Sequence, residues 1–171
     1  MRNLKDLDPK IHGDLAATYE EVMWLAQRPN VTASMARGWY THVVASKLVR
    51  RLREFTGKVS RSAAESDSDT SLRLEHFKRM QTSVTQLVAR HRASKKLDPD
   101  EFVQLVIDCE RVHIVTVAEN YAAMRADGNY SKAGIELLDW RKLPPGRQEF
   151  LWKRMLHGRV ANSTKFKPKL A

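Results

Sequence analysis

Residues 112–124 read VHIVTVAENYAAM, and this stretch decides the fold. Val112, Ile114, Val115, Thr116 and Val117 crowd β-branched side chains, stiff at χ1, into six positions that suit a pleated strand better than an exposed helix. Thr116 is followed three residues later by Glu119, the spacing of a capping box in which hydroxyl and carboxylate each take an orphaned amide at a helix start. A strand over 112–117 is therefore predicted to feed a short helix through Asn120, Tyr121 and Met124, with Gly128 as its stop. Further on, Ile135, Leu137 and Trp140, interrupted by Glu136 and Asp139, predict a second short strand. His113, Thr116, Glu119 and Asn120 gather around the capping box as a compact polar set, although capping alone accounts for Thr116 and Glu119.

Outward from this β-α-β element, the spacings are helical. Asp98-Pro99-Asp100-Glu101 places an Asp N-cap, a Pro at the first helical position and acidic groups in the first turn, ahead of the apolar face Phe102, Leu105, Val106 and Cys109. Upstream, Leu15, Tyr19, Val22 and Ala26 predict a helix from Asp14 to about Gln27, stopped by Pro29. A longer helix is predicted from Thr32 to Phe55, burying Val44, Leu48, Leu52 and Phe55 and turning Lys47, Arg50, Arg51 and Arg53 outward, with Arg50 and Glu54 spaced to pair. Residues 58–70, KVSRSAAESDSDT, hold no large apolar group after Val59 and predict a linker or mobile loop. Helices over about Ser71–Ala93 and Pro145–His157 complete a mainly α chain of five or six helices with a small two-stranded β element near 112–140. The expected division is an N-terminal helical part (1–57), a linker (58–70) and a C-terminal helical part with a basic tail (71–171), in one domain or two loosely joined halves.

Composition narrows the class of protein. The chain has 171 residues, 42% of them hydrophobic, enough to bury a core, and its seven glycines are sparse for a sandwich or barrel. One cysteine excludes an intrachain disulfide framework and an all-cysteine zinc site. No apolar run approaches the roughly 18 residues that cross a bilayer, and the first fifteen residues hold no stretch suited to a signal peptide. A reducing cytoplasm is the expected compartment. The 30 Lys and Arg against 20 Asp and Glu give +10, unevenly placed: residues 101–139 carry −4 and residues 140–171 carry +8. Such segregation points to a surface with a polyanionic partner, or to internal pairing between the two segments.

The last helix fits phosphate binding better than any other segment. Leu151, Trp152, Met155 and Leu156 form its apolar arc, and Arg147, Lys153, Arg154 and His157 lie opposite with Phe150 among them. Arg159, Lys165 and Lys167 extend the charge into a tail that also holds Phe166, and Lys47, Arg50, Arg51 and Arg53 make a second patch. The expected function is sequence-nonspecific binding of DNA or RNA without enzymatic activity, cofactor or metal; the competing class is an interaction module that meets an acidic protein. Arg37 and His42, in RGWYTH, offer a further alternative: their spacing resembles the Arg-x4-His of the HEPN family of helical ribonucleases, which implies a pair acting on a scissile phosphate. That resemblance covers six residues, and Gly38 stands where the family usually has a polar residue. Cys109 and His113, four apart, are the best-spaced metal pair, without a second pair to complete a site.

Overall fold

Asp8 starts the first helix, accepting from the Lys10 N–H at 2.9 Å, and Pro9 occupies a first position that needs no donor. Helix α1 (Pro9–Ala26) thus begins more than a turn ahead of Asp14, which lies exposed within it. The computed structural model describes residues 4–66 and 71–168, with the backbone alone for 43–47. Among them the chain forms eight α-helices and one four-stranded sheet, divided between two units interleaved in sequence: 1–49 with 78–110, and 50–77 with 111–171.

The first unit is helical. With α1 it holds α2 (Ala33–Lys47), α5 (Met80–Ser94) and α6 (Pro99–Cys109), numbering the helices along the whole chain. Its core is built from Leu15, Tyr19, Val22 and Met23 of α1, Val84 and Val88 of α5, and Phe102, Val103 and Val106 of α6. Phe102 receives Tyr19 at 5.2 Å and Tyr40 edge-on at 5.7 Å between ring centroids. The Asp98 cap is present, accepting from the Glu101 N–H at 2.9 Å. A polar chain, buried at Tyr19 and His91, leads from this core to its surface. The Asp98 N–H donates to the Tyr19 hydroxyl at 3.1 Å, which bonds His91 Nδ1 at 2.6 Å, while His91 Nε2 meets Glu101 at 2.9 Å. Burial raises the Tyr19 pKa, and the Arg90 and His91 hydrogen bonds lower that of Glu101.

The second unit is built on the sheet. Its elements are β1 (Glu54–Ser60), α4 (Arg61–Glu65), β2 (Leu72–His76), β3 (Arg111–Thr116), α7 (Val117–Arg125), β4 (Leu137–Asp139) and α8 (Pro145–Leu151), with α3 (Val49–Leu52) leading in. Strand order is β2-β3-β1-β4; β1 and β3 are parallel, and the outer strands run antiparallel to their neighbours. One face buries Phe55, Val59, Leu72, Val112 and Ile114 against Trp140, Leu143, Leu151, Met155 and Leu156. Each parallel strand ends on a helix cap: Ser60 accepts from the Ala63 N–H, and Thr116 with Glu119 forms the predicted capping box.

The β element is therefore larger than the two strands predicted. The long helix expected from Thr32 to Phe55 stops at Lys47, and after the short α3 the chain enters β1, the strand lying between β3 and β4. Phe55, counted with Leu52 and Leu48 as a helical face, instead faces Trp140 across the sheet core at 5.5 Å. The described part of the expected linker, 58–66, continues β1 and forms α4, and the first turns expected of a helix at Ser71 are strand β2. Strands β3 and β4 do not pair; β1 lies between them.

Candidate nucleic-acid interface

The tail after α8 is tied to the edge of β1 by the side chain of Asn162. On its β4 side, β1 pairs only at Lys58, Val59 and Ser60, which leaves the Phe55 peptide groups in need of partners. Asn162 supplies both: its Oδ1 accepts from the Phe55 N–H at 2.9 Å, and its Nδ2 donates to the Phe55 carbonyl at 2.9 Å. The adjacent Ala161 N–H donates to the Arg53 carbonyl at 2.7 Å. So anchored, the turn Ser163–Phe166 lays Phe166 edge-on against Phe55 at 4.8 Å and Trp140 at 6.1 Å. Gly57, at φ +79°, leaves the room: a Cβ there would come within 3.3 Å of the Phe166 ring.

This docking creates a pocket of about 420 Å³ between Trp140, Arg141 and Gln148 on one side and Lys165, Phe166 and Lys167 on the other. Gln148 Nε2 donates to the carbonyls of Trp140 and Leu143 at 3.1 and 2.9 Å, fixing the turn that carries Arg141. No lining side chain is acidic, and Arg141, Lys165 and Lys167 are exposed. Lys167 Nζ also lies 5.9 Å from the centre of the Trp152 ring. A larger cleft of about 670 Å³ in the helical unit has a different character: Asp98 caps α6, Glu101 pairs with Arg90 and His91, Asp100 with His12, and Asp108 accepts from Gln104.

The residues singled out by sequence separate into groups. Lys153, Arg154, His157, Arg159, Lys165 and Lys167 are exposed; Lys153 pairs with Glu149 at 2.6 Å, and the His157 ring lies 4.7 Å from Trp152. Arg147 is half-buried and serves the fold, donating to the carbonyls of Ala63 and Ser66 at 2.7 and 2.5 Å and lying 4.6 Å from the centre of the half-buried Phe150 ring. The second patch is not one helical arc. Lys47 ends α2, its side chain outside the described residues; Arg50 and Arg51 are exposed on α3; Arg53 is half-buried beside His76 at 3.5 Å. Glu54 stands in β1, so the helical pairing with Arg50 has no helix to form on. Arg37 and His42, both on α2, lie five residues apart and thus roughly 140° around the axis. Arg37 bonds Thr41 at 3.2 Å.

Cys109 closes α6 and His113 stands in β3, so the helical spacing that paired them is absent. Burial lifts the Cys109 thiol to about 11, and among the described residues no group of three or more His, Cys, Asp or Glu could hold a metal ion. Nor does any described helix have the length and apolarity to cross a membrane. The acidic segment finds several partners outside the C-terminal end: Glu136 forms a two-point pair with Arg61 at 2.6 and 2.7 Å, and Asp139 pairs with Lys58 at 2.9 Å.

The polar set around the capping box gains members that sequence reasoning missed. Glu119 accepts from the Ser60 hydroxyl at 2.5 Å and the Thr116 N–H at 2.9 Å, joining the caps of α4 and α7. His113 is buried against Phe77 and Tyr130, its Nδ1 2.5 Å from Thr56 Oγ1. Its Nε2 and the Tyr130 hydroxyl have no hydrogen-bond partner among the described residues. Burial, with Arg111 and Lys58 adding repulsion, lowers the His113 pKa to about 4, and burial beside Glu75 and Glu119 raises that of Tyr130. Arg141 and Trp140 of the pocket were also missed as site residues; the only signal for them was the WRK triplet among apolar neighbours. Comparisons with protein-family models, curated proteins and solved structures return no match, so the chain's own geometry carries its functional reading.

Proposed function

We propose that this chain binds nucleic acid without sequence preference through the C-terminal segment of its sheet unit. The observation that carries the reading is the division of charge between the units. The sheet unit has 18 Lys and Arg against 10 Asp and Glu, net +8, whereas the helical unit has 12 against 10, net +2. Within the sheet unit, residues 140–171 hold nine of the cations and one acid. Exposed Arg141, Lys142, Arg154, Arg159, Lys165 and Lys167 can reach phosphates without breaking the core, and neutralising phosphates releases their counterions.

Binding should therefore weaken steeply with salt, with a log–log slope of about −0.9 per duplex phosphate neutralised. Arg154→Ala, Arg159→Ala and Lys165→Ala together should flatten that slope and leave the thermal melt of the protein in place. Fluorescence anisotropy of a labelled duplex across a salt series measures both quantities. No binding at low salt, with capture of an acidic protein that survives nuclease treatment, overturns the proposal.

A further inference from the structure

The pocket beside Phe166 is better suited to an unpaired nucleotide than to a duplex surface, and we infer that it takes one base of a single strand with its phosphate. This rests on the nucleic-acid reading above and specifies its ligand. About 420 Å³ falls within the roughly 300–1,000 Å³ of small-molecule sites, room that a flat phosphate-tracking face does not need. Its lining pairs aromatic surface with cations: Trp140 is buried with its ring edge-on to Phe166, so the half-buried Phe166 ring is the platform on which a base can stack. Arg141, Lys165 and Lys167 stand around those rings with no carboxylate among the lining residues.

This combination meets both halves of a nucleotide. Single-strand sites join a positive track for the backbone to aromatic platforms on which bases stack, and stacking tolerates any base because every base has a π-face. A base still paired in a duplex has its faces covered by its neighbours and cannot enter. The rings are also fixed before binding: Phe166 rests on Phe55 and Gly57, Trp140 on Phe55, and Gln148 holds the turn that carries Trp140. Little ordering is left for the ligand to induce.

The test compares, on the full chain, a short oligothymidylate, the matching oligouridylate, a duplex of equal length and an abasic oligomer with the same phosphates. The single strands should bind more tightly than the abasic oligomer by about tenfold or more, the range expected for one stacked base. Phe166→Leu keeps an apolar side chain against Phe55 while removing the ring; it should lose a similar factor on the single strands and leave duplex binding unchanged. A loss confined to the thymidylate or the uridylate supports the pocket and adds selection at the 5-methyl group or the 2′-hydroxyl, the two groups by which these oligomers differ. Equal binding of abasic and base-bearing oligomers by the unmodified chain overturns the pocket and leaves the nucleic-acid reading standing. No binding of any oligomer at low salt overturns both.

Discussion

Thr56 Oγ1 lies 3.1 Å from the Val112 carbonyl and 2.5 Å from His113 Nδ1. His113 Nε2 is buried with no partner among the described residues, and a charged ring there would sit near Arg111 and Lys58. Folded His113 titrates at about 4, against about 6.5 for an unperturbed imidazole. Between those values the unfolded chain binds the extra proton, so this residue makes stability fall as pH falls, at up to ~1.4 kcal/mol per pH unit, and contributes no pH dependence above the window. Urea unfolding at pH 7 and pH 4.5 should show His113→Leu losing less stability on acidification than the unmodified chain; equal losses would remove His113 as the cause. At this scale sequence is legible where partners are local. Thr116 with Glu119 and Asp98 with Glu101 are each three residues apart and were read directly, whereas Thr56 and His113 meet across 57 residues through the pairing of β1 with β3.

Among the elements, α6, α7 and α8 declare themselves because each starts with its own chemistry: an Asp cap, a capping box, and Pro at the first position. Strand β3 is legible from its β-branched run. Strands β1 and β2 are not, because their apolar residues continue spacings that also suit a helix. Leu48, Leu52 and Phe55 step by four and three, and Leu74 and Phe77 by three, so periodicity alone cannot separate the two structures. What selects strand for β1 is long-range: β3 on one side, β4 and the Asn162 amide on the other. Nothing in the sequence around Asn162 marks it as a strand partner, yet its amide takes the place of a missing one at Phe55. Asn162→Ala removes two hydrogen bonds and leaves both Phe55 peptide groups unpaired on that side, which should cost about 1–3 kcal/mol. Chemical denaturation measures the loss. Increased accessibility of the Phe166 ring to a quencher in a phenylalanine-to-tryptophan background, relative to the same background with Asn162 intact, would locate it in the tail.

At the scale of the whole molecule, the chain passes between its two units at 49/50, 77/78 and 110/111, so neither unit is a continuous segment. Linear reading could not recover this, because composition marks 58–70 as the joint while the contacts place 58–66 inside the sheet unit as β1 and α4. The same interleaving sharpens the charge argument. The acidic residues 101–139 are shared between units, with Glu101, Asp108 and Glu110 in the helical one, and this leaves the C-terminal +8 as the whole net charge of the sheet unit. The interleaving also makes a firm demand on folding. A fragment spanning 71–171 keeps α5 and α6 without α1 and α2, and keeps β2, β3 and β4 without the β1 that lies between the last two. Val112 and Ile114 would lose Phe55 and Val59 as neighbours, and Phe102 would lose Tyr19 and Tyr40. Burial of one large apolar side chain is worth about 1.5–3 kcal/mol and total stability about 5–15 kcal/mol, so the fragment cannot retain a cooperative fold. Circular dichroism should show it melting without a sigmoidal transition, although it contains the complete basic tail, while the intact chain melts cooperatively. A sharp transition in the fragment would mean that the strand order and the helical core described above are wrong.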